Sequence, residues 1–201
     1  MKINKYSLFP TPVFHISEFL NSKQCDDIVD YCHTNIDEFL KYPALVGNSV
    51  SNYDPDKKTI TDISQKVKSC ENLSDRIYKT VCEYCENSGY KLITEDITNS
   101  WANIQYKGSI LQHHSHPLSA VSGALFIKCD EYSSKLSFVN PSPYLQMMNV
   151  DMENLTEYVY GVVNFEPHAG DLIIFPSWIR HGSDGEENGS DERIILSFNV
   201  R

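Results

Sequence analysis

Three of the seven histidines crowd into the run Gln112-His113-His114-Ser115-His116-Pro117. In an extended segment residues i and i+2 project to the same face, so His114 and His116 can offer imidazoles to one point while His113 faces away. Two such side chains fix two corners of a metal site. The best candidate for a third corner is His181, which follows the apolar strand Asp171-Leu172-Ile173-Ile174-Phe175 and the turn Pro176-Ser177-Trp178. A ligating imidazole must be neutral at its coordinating nitrogen, so at the reference histidine pKa of about 6.5 metal affinity is expected to fall steeply in acid. A run of surface histidines plus one ordinary loop histidine accounts for the same spacing.

A second polar signal lies at the C-terminal end. Arg193-Ile194-Ile195-Leu196-Ser197-Phe198-Asn199-Val200 alternates, with Ile194, Leu196, Phe198 and Val200 on one face and Arg193, Ile195, Ser197 and Asn199 on the other. Arg193 at the start of such a strand, with Ser197 four residues on, can clamp a carboxylate through a forked pair of hydrogen bonds. A solvent-facing edge strand in which Arg193 pairs with Glu192 or Asp191 is the alternative.

The elements that must carry these residues change character along the chain. Residues 1–20 hold two prolines and scattered aromatics and read as an extended arm. From Asn21 or Ser22, a good cap position, Cys25, Ile28, Val29, Cys32, Ile36 and Phe39 recur at helical spacing up to about Tyr42-Pro43. A polar loop through 48–55 follows, and Ile63, Val67, Cys70, Ile77, Val81 and Cys85 mark one or two further helices ending at Gly89. Beyond it, Gly, Pro, Asn and Ser separate short strands near 90–97, 100–107, 121–128, 135–139, 160–166, 171–176 and 193–200. The connection at 140–158, which holds Tyr144, Met147, Met148 and Tyr158, reads as a lid or a packed surface insertion. This pattern predicts one α+β domain over 1–201, mostly β: an N-terminal arm and supporting helices over 1–90 and a jelly-roll core over 90–201.

Composition narrows the function. The chain has 201 residues, 41% of them hydrophobic, with 12 Tyr, 9 Phe and 2 Trp, enough to bury a core. A net charge of -10 disfavours non-specific nucleic-acid binding and anionic membranes. Apolar runs such as Leu172-Ile173-Ile174-Phe175 are too short to cross a bilayer, and the first residues do not read as a secretory signal. Cys82 and Cys85 form a CxxC inside a helical pattern with no second CxxC. With Cys25, Cys32, Cys70 and Cys129 they are expected to be reduced thiols in a cytosolic setting.

The order of an HxH pair, a distal His181 and then Arg193 resembles the iron(II)/2-oxoglutarate-dependent dioxygenases of the double-stranded β-helix fold. Tyr106-Lys107-Gly108 and its distance to His114 resemble the prolyl-hydroxylase branch. Trp101-Ala102-Asn103, Ser122-Gly123-Ala124-Leu125-Phe126, Phe175-Pro176-Ser177-Trp178 and Ser197-Phe198-Asn199 are similar to a group of such oxygenases of microbial and viral origin. The likeness covers roughly 100–200, and weakly 8–14, where Phe9 to Pro12 match an N-terminal Phe-Pro-Thr-Pro segment.

The resemblance implies Fe(II) held by His114, His116 and His181. It implies 2-oxoglutarate as cosubstrate, its distal carboxylate on Arg193, with Ser197, Tyr106 or Asn103 as further partners. The reaction implied is hydroxylation of an unactivated C–H bond of a small molecule or peptide by dioxygen, with release of succinate and carbon dioxide. Homodimerisation is left open. One departure stands out: the usual triad is two histidines and a carboxylate, and no Asp or Glu lies in 112–118. Three imidazoles also suit zinc. A zinc-dependent cupin-like hydrolase or isomerase, and a non-catalytic jelly-roll binding module, are the competing readings.

Overall fold

The apolar stripe that begins after Asn21 forms α1 (Ser22–Thr34). The helix starts on a capping box: Asn21 Oδ1 accepts from Gln24 N at 3.0 Å and Gln24 Oε1 accepts from Asn21 N at 3.2 Å. It stops short of the expected Tyr42. Asn35 donates through both its backbone N–H and its side-chain amide to Tyr31 O, and a 3-10 turn at Ile36–Glu38 continues the apolar spacing. Two further helices follow, α2 (Thr59–Lys66) and α3 (Leu73–Ser88), the latter ending at Gly89 in the left-handed conformation (φ +76°). The computed structural model describes residues 2–142, 159–166 and 168–201. All of the expected lid but its first three residues, 140–142, lies outside them.

The described strands are β1 (Phe14–Ile16), β2 (Leu45–Val46), β3 (Ser49–Ser51), β4 (Asn99–Tyr106), β5 (Ile110–Leu111), β6 (Val121–Lys128), β7 (Leu136–Val139), β8 (Val162–Phe165), β9 (Leu172–Pro176), β10 (His181–Gly182) and β11 (Glu192–Val200). They form an antiparallel sheet in the order β1-β9-β6-β11-β4-β3, a second sheet β10-β7-β8, and a small β2-β5 ladder. This is the expected jelly roll with helices on one side. Within the central sheet the alternation of β11 sorts the protein into two layers of core. Ile194, Leu196, Phe198 and Val200 pack with Ala102, Ile104 and Leu125 against the buried faces of the helices, including Ile28, Ile63 and Ile77. On the other face Ala124, Phe126, Ile173, Phe175 and Ile195 meet Leu136 and Phe138 of the second sheet.

Three elements depart from the sequence expectation. Residues 90–97, expected as a strand, are irregular: Ile93 and Thr94 both donate to the single carbonyl of Arg201, and Ile93 is exposed. The sheet edges are instead occupied by β1 from the arm and β3 from the expected polar loop. Alternation in 90–97 supplies side chains for a strand, but no neighbouring strand supplies a ladder of hydrogen bonds. No helix among the described residues is long and apolar enough to cross a membrane.

Candidate active site

The HxH segment leaves β5 and runs antiparallel beside β10. His114 and His181 exchange backbone hydrogen bonds, His114 N to His181 O and His181 N to His114 O, both 2.9 Å. His116 N donates to Ser177 O at 2.9 Å. The approach is close enough to require glycine after His181: a Cβ on Gly182 would lie 2.8 Å from Leu111 O and 2.9 Å from His113 Cδ2. Each ligand candidate is therefore placed by main chain.

The three imidazoles each bring one ring nitrogen to within 4.8 Å of the others. His114 Nδ1 lies 2.8 Å from Gln112 O and His181 Nδ1 lies 3.0 Å from Ile179 O. A carbonyl only accepts, so both Nδ1 atoms carry the proton and both Nε2 atoms keep a lone pair, the tautomer a metal ligand needs. His116 Nε2 and His181 Nε2 are 3.2 Å apart. Adjacent nitrogen ligands about 2.1 Å from one metal ion are separated by about 3.0–3.4 Å, so this spacing suits a shared ion. Burial pushes all three imidazoles below the ordinary histidine value, His116 to about 3, and their mutual proximity adds to it for His116 and His181. They are thus neutral donors across the physiological range. His113 points elsewhere, its Nε2 3.8 Å from Asp184.

The triad opens into a cavity of about 290 Å³ that Arg193, Ile195, Ser197 and Asn199 also line. This is the polar face of β11 expected from its alternation. Register with β4 sets Arg193 opposite Gln105, Ile195 opposite Asn103 and Ser197 opposite Trp101. Arg193 is 1% exposed, the largest fully buried side chain among the described residues. It donates from Nη1 to Gln105 Oε1 at 2.5 Å and lies over the Phe126 ring at 5.5 Å, but its Nε has no hydrogen-bond partner among the described residues. Burial pulls its pKa down to about 10, so it remains a cation. A desolvated cation with an orphaned donor beside a cavity is the environment that an incoming carboxylate completes.

The edge-strand alternative for Arg193 does not hold. Glu192 projects away and pairs with Lys128 and His33 instead. Of the expected cosubstrate partners, Ser197 and Asn103 face the cavity, with Asn103 Nδ2 3.5 Å from Ser197 Oγ. Tyr106 does not. It sits one residue past Gln105, so the pleat turns it to the helix side of β4, where it packs against the main core. The same parity rule brings in what the sequence reading missed: Gln105 behind Arg193, and Trp101, whose ring centroid lies 5.6 Å from that of His116. Tyr53, 4.9 Å from Trp101, and Tyr42, 4.8 Å from Tyr53, extend this aromatic wall.

Three convergent histidine nitrogens and a buried arginine thus line one cavity of a jelly roll, an arrangement with the donors to hold a metal ion and the charge to receive a carboxylate. The profile of the family described as "Putative 2OG-Fe(II) oxygenase" matches residues 99–199, half of the chain, and the chain belongs to that family. No curated protein matches it in sequence. Among solved structures it is similar to a prolyl-4-hydroxylase of Pseudomonas putida, with TM-score 0.66, 15% identity and coverage of 95% of this chain and 92% of that one. It is also similar to HygX of Streptomyces hygroscopicus with nickel and 2-oxoglutarate bound, with TM-score 0.61, 10% identity and coverage of 94% and 82%. A third likeness is to the viral collagen prolyl hydroxylase of Paramecium Bursaria Chlorella virus-1, with TM-score 0.54, 15% identity and coverage of 94% and 95%. At these identities the likeness establishes the fold.

Proposed function

We propose that the chain is an Fe(II)- and 2-oxoglutarate-dependent dioxygenase that hydroxylates a small molecule or a peptide, with His114, His116 and His181 as metal ligands and Arg193 as the anchor of the cosubstrate. The observation that carries this reading is the pairing, within one cavity, of three convergent neutral imidazoles with a buried guanidinium whose Nε has no hydrogen-bond partner among the described residues. The donor set fits the metal, because the tautomers of His114 and His181 are fixed with Nε2 free to coordinate. The orphaned Arg193 Nε fits a carboxylate. When bound, the metal and cosubstrate would supply the oxidising chemistry, with succinate as the coproduct.

The residues of this chain do the positioning. Arg193 fixes the far end of the cosubstrate by charge-assisted hydrogen bonds. Ile195, Phe175 and Leu136 keep that end dry, which strengthens those bonds. Trp101 lies beside His116 with the two rings tilted at 32° and limits its rotation. Tyr42 and Tyr53 line the mouth, where a C–H bond of the substrate would be presented. Six cysteines without a disulfide among them suit a reducing, cytosolic compartment.

Anaerobic addition of 2-oxoglutarate to the Fe(II)-loaded protein tests the assignment. A weak visible charge-transfer band, and succinate release on admitting air, are the expected results. Tight zinc binding with neither band nor succinate would move the assignment to the hydrolase reading that a three-imidazole site also permits.

A further inference from the structure

Arg193 is held by a partner that carries no charge. Its Nη1 donates to the amide oxygen of Gln105, and among the described residues it takes part in no ion pair. Gln105 is fully buried, directly across the β4–β11 ladder from Arg193 and across the β3–β4 ladder from Ser49. Its backbone carbonyl is occupied by Asn188 Nδ2 at 3.1 Å, and Asn188 Oδ1 accepts from Ser134 N at 3.4 Å. The groups hydrogen-bonded around Gln105 are thus amides, and the only acidic groups that act on the guanidinium among the described residues, the Cys129 thiol and the Glu186 carboxylate, do so without an ion pair or a hydrogen bond to it. Four buried polar atoms without a hydrogen-bond partner among the described residues lie on these paired strands: Arg193 Nε, Gln105 Nε2, Asn103 Oδ1 and Ser49 Oγ.

A glutamate in place of Gln105 would have the same shape and accept the same hydrogen bond, and it would neutralise the guanidinium from within the protein. The amide accepts the bond and leaves the charge. Because hydrogen bonds to an ionised partner are roughly twice as strong as neutral ones, an internal carboxylate would compete directly with any carboxylate arriving from the cavity. The amide does not.

We infer that Gln105 is a positioning residue for the cosubstrate: it orients the Arg193 fork through a neutral acceptor, so that the positive charge is reserved for a carboxylate brought by the ligand. This rests on the 2-oxoglutarate reading above. Gln105 does not line the cavity and acts only through Arg193.

The test uses Fe(II)-loaded protein under anaerobic conditions, titrated calorimetrically with 2-oxoglutarate and with oxalate, which keeps the metal-chelating end and lacks the distal carboxylate. Gln105→Glu should weaken 2-oxoglutarate by roughly tenfold or more. Gln105→Leu, which removes the acceptor and adds no charge, should weaken it by a smaller factor. Oxalate should bind both variants within about twofold of the parent, because its site is the metal alone. Were Gln105→Glu not to fold, the Leu variant still carries the test through the contrast between the two ligands. Unchanged 2-oxoglutarate binding in the variants, the reverse order of Glu and Leu, or a parallel loss of oxalate each overturns the inference, the last by showing a merely structural role. An Arg193→Ala control separates the layers. If it leaves 2-oxoglutarate binding intact, the cosubstrate reading itself fails; if it weakens binding and the Gln105 variants do not, only the inference fails.

Discussion

Replacing His116 with Gln should flatten the acid sensitivity of the metal-free protein. In the folded chain burial pushes His116 down to about 3, whereas in the unfolded chain it titrates near its ordinary value of about 6.5. Between those values the unfolded state binds the extra proton, so stability rises with pH and is lost as pH falls below about 6.5. Each unit of pKa difference corresponds to about 1.36 kcal/mol, which gives a loss of about 2 kcal/mol at pH 5 and about 4–5 kcal/mol once pH falls below both values. That approaches the whole stability of a small domain, about 5–15 kcal/mol. His114 and His181 are lowered by burial in the same direction, so the variant keeps most of their share; it loses that of His116 and the smaller part of the His181 shift that proximity to His116 contributes. Urea denaturation with a chelator present, at about pH 7.5 and about pH 5, isolates the difference. The parent should lose about 2 kcal/mol more than His116→Gln between the two conditions. Equal losses would mean that His116 is solvated in the folded protein, which would refute its burial beside the other two imidazoles. The same depression revises the expectation drawn from reference values: protons compete poorly for these imidazoles while the chain is folded, so acid should release metal chiefly by unfolding.

Single Ala substitutions of His114 or His181 should abolish most iron binding by elemental analysis, whereas His113→Ala should retain it because its ring lies outside the cluster. Arg193→Lys keeps the charge and loses the planar fork, so it should weaken 2-oxoglutarate less than Arg193→Ala does. With charge-assisted bonds contributing on the order of 1.5–3 kcal/mol, the Ala change amounts to roughly tenfold to more than a hundredfold, read from the apparent 2-oxoglutarate constant. Gly182→Ala should force β10 away from the 111–113 segment. It should destabilise the protein by about 1–3 kcal/mol and lower metal affinity in the same titrations; a variant as stable as the parent would show that this approach can relax.

The parts of the site legible in the sequence are those set by period. Spacing of i and i+2 put His114 and His116 together, and the alternation of 193–200 separated Arg193, Ser197 and Asn199 from the core face. The placement of Tyr106 failed because it followed a family-like neighbourhood and not the parity of its own strand. Counting in twos from Trp101 or Asn103 leads to Gln105. What could not be read is long-range: β3 forms from residues with turn chemistry because an edge of β4 was available, and 90–97 stays irregular because none was. The end of α1 at Thr34 turned on an Asn35 hydrogen-bonding choice that helical periodicity does not register. The aromatic wall of Tyr42, Tyr53 and Trp101 unites residues far apart in the chain, and only the tertiary fold brings their rings together.

The suspension of the histidines from main-chain bonds has a consequence for how such a site can change over time. His114 and His181 hold each other through reciprocal amide bonds, and His116 hangs from the carbonyl of Ser177, so the Cα positions of all three corners are specified whatever side chains they bear. Donor identity is thereby uncoupled from scaffold integrity. A single codon change at 116 can exchange an imidazole for a carboxylate or remove the donor altogether, altering the charge and metal preference of the centre while the surrounding sheet stays in register. On a frame of this kind, new chemistry is reached through substitution at one position, with no intermediate that must first lose its fold.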